Sequence, residues 1–401
     1  MELPSRKTGE KMLITEKEIK NLLKEFPTNS WLRKYVAYAS KLTTSPMAYH
    51  LGVGLAVLSA AIPQEAGTPF AGGHLPSTFY TIVVGRSGDD QKSTAIKIGQ
   101  KILFDVDAGL IGDKPASMEG AIESLSQKEK QILFYSEMGN FLSATKSGYG
   151  EQIKTLFTDL WDGTPQQRAK SGEVIRVSKP RLNLVGACAI NYLESFTTEE
   201  DWHGGFLSRW FFLHAQRERS DSFPMRKQVV GREWLVTSLQ KSKGEDIGRC
   251  IGITDDFYKL WDDWYYELEK RELPKIISGL KTRIPAHCLR VVTLLSWEIG
   301  KCKGKTYKLD APELILSIKV IEMYIRSIVS ISKTLCFDEG SRIRKRILSI
   351  IKEKEASTYA QLLSTLKISQ RSLNESLNWL SAADKIKASS FANTKIYQLK
   401  Q

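Results

Sequence analysis

The chain contains no C-x-x-C pair. Its five cysteines, Cys188, Cys250, Cys288, Cys302 and Cys336, are scattered, which supports neither a zinc ribbon nor a disulfide framework. They read as buried thiols in a reducing compartment. Also missing are a metal-ligand cluster, a Ser/His/Asp constellation and an internal repeat. The longest apolar stretch, Leu51 to Ile62, is too short to span a bilayer, and the first residues carry charge where a signal peptide would be apolar. A cytoplasmic protein with no membrane partner is expected. Acid is in deficit, with 45 Asp and Glu against 58 Lys and Arg, a net charge of +13. That balance predicts a polyanionic partner, most simply nucleic acid.

What is present suffices for two or three domains: 401 residues, 42% of them hydrophobic, can build real cores. The most informative stretch is Thr81-Ile82-Val83-Val84-Gly85-Arg86-Ser87-Gly88-Asp89-Asp90-Gln91-Lys92-Ser93-Thr94. A β-branched strand runs into a glycine-bearing turn, and a Lys-Ser pair then opens a helix. Such a turn points backbone N–H groups inward, and the helix N-terminus favours negative charge. The reading is a nucleotide-phosphate loop. Gly85, Ser87, Gly88, Gln91, Lys92, Ser93 and Thr94 line the ATP phosphates, Lys92 reaches the terminal ones and Ser93 ligates Mg²⁺. The spacing departs from G-x-x-x-x-G-K-[ST]: six residues separate Gly85 from Lys92, and Asp90-Gln91 stands where a glycine is usual. Two aspartates beside polyphosphate repel it unless they point away or reach the metal.

Ser93 to Phe104 reads as the helix behind the loop, and a second helix runs from the N-cap Ser117 to Lys128. Gln131 to Glu137 then reads as a buried parallel strand ending in acid. Glu137 would polarise the attacking water, while Ser136 stands where an Asp commonly holds the metal shell. A polar, basic segment from Gly163 to Arg176 precedes the strand Arg181 to Ala187; it is either solvated or turned toward a nucleic-acid channel. Asn191, just past that strand, is a candidate γ-phosphate sensor.

Taken together, Tyr49-His50-Leu51, Val83 to Ser87 with Lys92-Ser93-Thr94, Tyr135 to Gly139, Leu184 to Ala187, and Gly205-Phe206-Leu207-Ser208-Arg209-Trp210 resemble a family of P-loop ATPases. Its members are replication proteins of plasmids, phages and integrated elements, often fused to primase modules. The resemblance covers roughly residues 31 to 330, and Thr282 to His287 with Leu289-Arg290-Val291 is similar to the family's helical tail. It implies an α/β fold with a RecA-like or AAA-related core. It also implies homo-oligomerisation as a hexameric ring, a helicase-like role at origins, and primase or other replication proteins as partners. Arg209, entering an aromatic strand, is then the candidate arginine that stabilises γ-phosphate charge across a subunit interface, with Arg217 and Arg219 behind it.

From Phe223 onward the pattern is helical, including an aromatic stripe (Phe257, Tyr258, Trp261, Trp264, Tyr265) at core spacing. The last sixty residues form a separate unit: helices Arg342 to Lys354, Tyr359 to Leu366 and Gln370 to Leu380, then a two-stranded wing. This is a winged helix with Arg371, Asn374 and Asn378 on the outer face of its recognition helix, and Lys387 and Lys395 on the wing. Residues 341 to 401 hold twelve Lys and Arg and four Asp and Glu, so they supply +8 of the +13. DNA, single- or double-stranded, is the expected partner. The expected divisions are 1–78, an N-terminal helical region; 79–220, the ATPase core; 221–337, a helical region; and 338–401, the winged helix. Three functions remain open: an ATP-dependent DNA helicase or translocase, a non-motor ATPase switch, and a DNA-binding protein with a degenerate nucleotide site.

Overall fold

The computed structural model describes residues 13–70, 73–146, 149–170, 173–218, 229–243, 249–299, 306–335, 339–391 and 394–400. Two compact units emerge, Met1–Thr334 and Leu335–Gln401. In the first, α1 (Glu16–Glu25) opens on a capping box between Thr15 and Glu18 and stops just before Pro27. Ser30 caps α2 (Trp31–Leu42), and α3 (Met47–Ala61) follows Pro46. Every residue of α3 is buried, so the apolar run at Leu51 is a central core helix.

A short hairpin, β1 (Gly67–Phe70) and β2 (Gly73–Pro76), leads to β3 (Tyr80–Gly85). The chain continues through α4 (Lys92–Asp107), α5 (Met118–Gln127), β4 (Lys130–Tyr135), α6 (Met138–Ala144) and α7 (Tyr149–Asp162). Next come the hairpin β5 (Gln166–Lys170) and β6 (Glu173–Val177), then β7 (Arg181–Ala189), α8 (Ile190–Phe196), α9 (Glu199–His203) and β8 (Trp210–His214). The polar, basic segment ahead of β7 is therefore a β-hairpin.

Strands β3, β4, β7 and β8 form a parallel sheet in the order β4-β7-β3-β8. Their near-continuous burial reflects cover on both faces. On one face α3 approaches so closely that a Cβ on Gly52 would lie 2.5 Å from Leu213. On the other, the Tyr80 hydroxyl donates to the Phe157 carbonyl of α7 at 2.9 Å, and Phe212 stacks on Trp202 of α9.

The later elements are α10 (Arg232–Lys243), β9 (Arg249–Ile253), α11 (Asp255–Lys270), the 3₁₀ segment Lys275–Arg283, α12 (Ile284–Glu298), β10 (Thr306–Leu309) and α13 (Ala311–Ser332). Helix α13 packs on the sheet, with Tyr324 stacked on Phe211 at 4.8 Å. The helices before residue 79 and after residue 220 therefore share one unit with the sheet. The aromatic stripe of α11 divides: Phe257 and Trp264 are buried, whereas Tyr258, Tyr265 and Tyr266 are exposed. No helix among the described residues is long and apolar enough to cross a membrane.

The second unit runs α14 (Glu339–Lys354), β11 (Ser357–Thr358), α15 (Tyr359–Leu366), α16 (Gln370–Ala382), β12 (Ile386–Phe391) and β13 (Thr394–Leu399). Its sheet has the order β11-β13-β12, antiparallel throughout. Ile347, Ile351, Leu362, Leu373, Leu377 and Tyr397 contribute to a core of its own. Ser369 caps α16 by accepting from the Ser372 N–H, and left-handed Lys367 (φ 52°) ends α15.

Candidate functional site

The Gly85–Thr94 loop leaves the C-terminal end of β3, near the middle of the sheet, where open α/β sheets commonly place their ligands. Gly88 turns with φ 79° in open space, whereas Gly85 is constrained from beneath. A Cβ there would come within 2.3 Å of the Tyr49 hydroxyl and 2.6 Å of the Asp90 carboxylate. Gln91 is left-handed (φ 46°, ψ 37°), so it takes the conformation a glycine would hold before Lys92. Its side-chain oxygen accepts a hydrogen bond from the Thr43 hydroxyl, which helps offset the cost.

Asp90 does not face the site. It is 1% exposed; Oδ2 accepts the Arg86 N–H at 2.6 Å and Oδ1 accepts the Arg217 N–H at 3.1 Å. The carboxylate points away from the loop mouth and pins the loop to the chain leaving β8, while its charge still acts on Lys92. Asp89 stays at the surface, with its carboxylate 3.6 Å from the Arg86 guanidinium. Tyr49 completes the support, its hydroxyl oxygen lying 2.6 Å from the Val84 carbonyl and 2.7 Å from that of Ala215. Thr43, Tyr49 and Arg217 thus hold the loop, and no local spacing rule in the sequence links the first two to a turn some forty residues later.

Lys92 and Ser93 open the sixteen-residue α4. Lys92 Nζ donates to the Arg86 carbonyl at 2.5 Å, and burial lowers its pKa against the opposing pull of Asp90 and Glu137. The Ser93 hydroxyl donates to the Ser136 carbonyl at 2.8 Å, which joins the loop to the tip of β4. Thr94 is exposed on the first turn, and Ser87 is exposed in the loop. Glu137 is the N-cap of α6; it is exposed and its carboxylate makes no hydrogen bond among the described residues. Asn191 is exposed at the start of α8, beyond the tip of β7, the strand between β3 and β4. The structure therefore gathers Lys92, Ser93, Ser136, Glu137 and Asn191 at one end of the sheet. Cys188 lies beneath them, its thiol pushed up to about 12 by burial and by Glu137, and so stays protonated.

Arg209 is not among them. It precedes β8 at the opposite end of the sheet and is 6% exposed. Its guanidinium binds Asp162 at 2.6 Å and the Gly205 carbonyl at 2.7 Å. An arginine presented at an interface would need the exposure that this one lacks. Arg217 is the fallback arginine at the loop end, and Arg219 lies outside the described residues. No family model matches this chain, and no curated protein matches it.

In the second unit α16 exposes Arg371, Asn374 and Asn378, as their spacing predicts. Glu375 shares that face and binds Arg371 at 2.9 Å, so the arginine is partly neutralised. Strand alternation places Lys387 and Lys395 on opposite faces of the β12–β13 ribbon, since Lys395 pairs with Ser390 and Lys387 with Gln398. Both are exposed. Trp379, which nothing in its local sequence singles out, is 52% exposed with the Arg344 guanidinium 4.5 Å from its ring centroid. An aromatic that pairs with a cation at the edge of this face can stack on a base.

Proposed function

We propose that the first unit binds and hydrolyses ATP at the Gly85–Thr94 loop, and that the second is a winged helix that grips DNA. The protein then works as an ATP-dependent helicase or translocase in the replication of a mobile element, assembled as a ring of copies. One observation carries the nucleotide reading: left-handed Gln91 precedes Lys92, and Ser93 lies 2.8 Å from the carbonyl at the tip of β4. A phosphate loop needs its backbone turned inward, its lysine at the mouth and its hydroxyl beside a strand that ends in acid. The resemblance to plasmid and phage ATPases supports the motor role. The +8 charge of residues 341–401 supports the DNA role.

In this mechanism Lys92 leaves the Arg86 carbonyl for the terminal phosphates, where its charge is best placed as the γ-phosphoryl group departs. The N–H groups opening α4 meet the remaining phosphate oxygens. Ser93, by turning its hydroxyl oxygen outward, is the residue that would hold Mg²⁺, which supplies charge neutralisation between the phosphates. Glu137, unencumbered at its strand tip, orients a water for attack, and Asn191 can report the γ-phosphate from the neighbouring strand.

Lys92→Ala should abolish ATP binding, and Glu137→Gln should retain binding but stop turnover. Wild-type hydrolysis by both variants would sink the assignment. A non-motor switch is the second reading, favoured by Ser136 in the place of a metal-shell acid. ATP turnover without strand displacement would select it.

A further inference from the structure

We infer a second anion site, for a phosphate-class dianion, in the cleft of about 290 Å³ between the β1–β2 hairpin, the end of α7 and the start of α12. It lies at the end of the sheet opposite the loop and is built around Trp161. The indole centroid is 3.3 Å from the Arg290 guanidinium carbon, 5.6 Å from that of Arg209 and 6.0 Å from that of Arg283. Asp162 is the carboxylate that faces all three, and it is committed to Arg209 at 2.6 Å. Three cations against one anion leave a surplus of two positive charges.

That surplus is poorly compensated by the protein itself. Arg290 is fully buried and donates to neutral acceptors, the Trp161 carbonyl at 2.8 Å and the Ala286 carbonyl at 3.4 Å. The Nε atoms of Arg209 and Arg290 are buried with no partner among the described residues. Arg283 lines the cleft beside Asp162 and Thr282, and among the described residues its guanidinium has no hydrogen bond or ion pair. Buried cations without counter-charge are costly, and a guanidinium recognises phosphate oxygens two at a time. Phe70 and Trp161 form apolar walls, which strengthen the attraction by limiting water. A dianion at Arg283 balances the surplus; the buried pair Arg209 and Arg290 acts on it through the field.

The phosphate comes either from a small anion in solution or from a nucleotide held by a second copy, and only the latter rests on the ATPase reading. Binding is tested on full-length Lys92→Ala protein, in which the loop lysine is absent, by calorimetric titration with pyrophosphate. We expect binding that weakens at least tenfold when Arg283→Gln is added and recovers in part with Arg283→Lys. Thr282→Glu, at an exposed position on the rim, should weaken it too and serves if Arg283→Gln does not fold. No pyrophosphate binding to Lys92→Ala protein, or equal binding in all these variants, overturns the site.

The source is read from ATP turnover. If Arg283→Gln and Lys92→Ala proteins are each inactive and regain activity when mixed, the anion is the nucleotide phosphate of a second copy. If Arg283-dependent pyrophosphate binding persists without such recovery, the site takes a free anion. Failure of the loop assignment shows instead as ATP binding that Lys92→Ala leaves untouched, whatever happens to pyrophosphate.

Discussion

Replacing Asp90 by asparagine isolates the support beneath the loop from the ligand above it. The side chain keeps its shape but exchanges one carboxylate oxygen for an amide that cannot accept. Whichever way the amide is turned, either the Arg86 N–H (2.6 Å) or the Arg217 N–H (3.1 Å) loses its acceptor. An orphaned donor costs about 1–3 kcal/mol, toward the low end here because both hydrogen bonds are only partly buried, and the surviving bond loses its charge assistance as well. The loop should therefore open more easily by about 2 kcal/mol, roughly a thirtyfold change in the opening equilibrium. Amide hydrogen exchange at Arg86 and Arg217, measured without nucleotide, should speed up by that factor, with little change at the far end of the sheet. The alternative is that Asp90 acts on metal or phosphate. Altered ATP affinity with unchanged exchange at both amides would refute the structural reasoning.

Glu298 offers a pH test. Its Oε1 accepts from the Ser30 hydroxyl at 2.6 Å and from the Leu32 N–H, and burial of the carboxyl raises its pKa from 4.5 to about 7. A raised carboxyl pKa stabilises the fold fully below pH 4.5, and that contribution is lost as pH rises toward about 7. The shift corresponds to about 3 kcal/mol. Urea midpoints followed by tryptophan fluorescence should fall between pH 5 and 7, and Glu298→Gln should flatten the slope; an equal slope in both proteins rejects the assignment. Removing residues 341–401 takes away +8 of charge, so ATP binding should survive while duplex affinity and its salt dependence fall. An unchanged salt slope would instead assign the second unit to a protein partner. Trp379→Ala should weaken single-strand binding by about 1–3 kcal/mol if the ring stacks on a base, read by fluorescence titration against labelled oligonucleotide.

The parts that local chemistry dictates are legible in the amino-acid sequence. The β-branched run before Gly85, the Lys-Ser pair and the apolar run before Glu137 each identify an element without reference to distant residues. Helix ends are equally readable where capping residues mark them, as at Ser117 and Ser369. What stays hidden depends on partners far along the chain. Whether Asp90 points at phosphate or away is decided by a backbone N–H at Arg217, and whether Arg209 is presented is decided by Asp162. The α11 stripe misleads because aromatics occupy both faces of that helix, so spacing alone cannot assign Tyr258 and Tyr265 to solvent. The β5–β6 hairpin escapes notice because Gln166-Gln167-Arg168 has no apolar alternation to announce a strand.

The insertion of β7 between β3 and β4 makes the sheet a ruler. Adjacent strands are about 4.8 Å apart, so the loop strand and the strand carrying Glu137 are held roughly 10 Å apart by two rows of peptide hydrogen bonds. Neither row can stretch without breaking. The spacing of the two strand backbones is therefore a constant of the fold, while the side chains beyond their tips keep their own freedom. On the proposed ATPase reading, movement driven by nucleotide has to appear elsewhere, in the helices that begin at the strand tips or along the outer strands, where Ile111 bridges Ile132 of β4 and Ile14 bridges Ala215 just past β8.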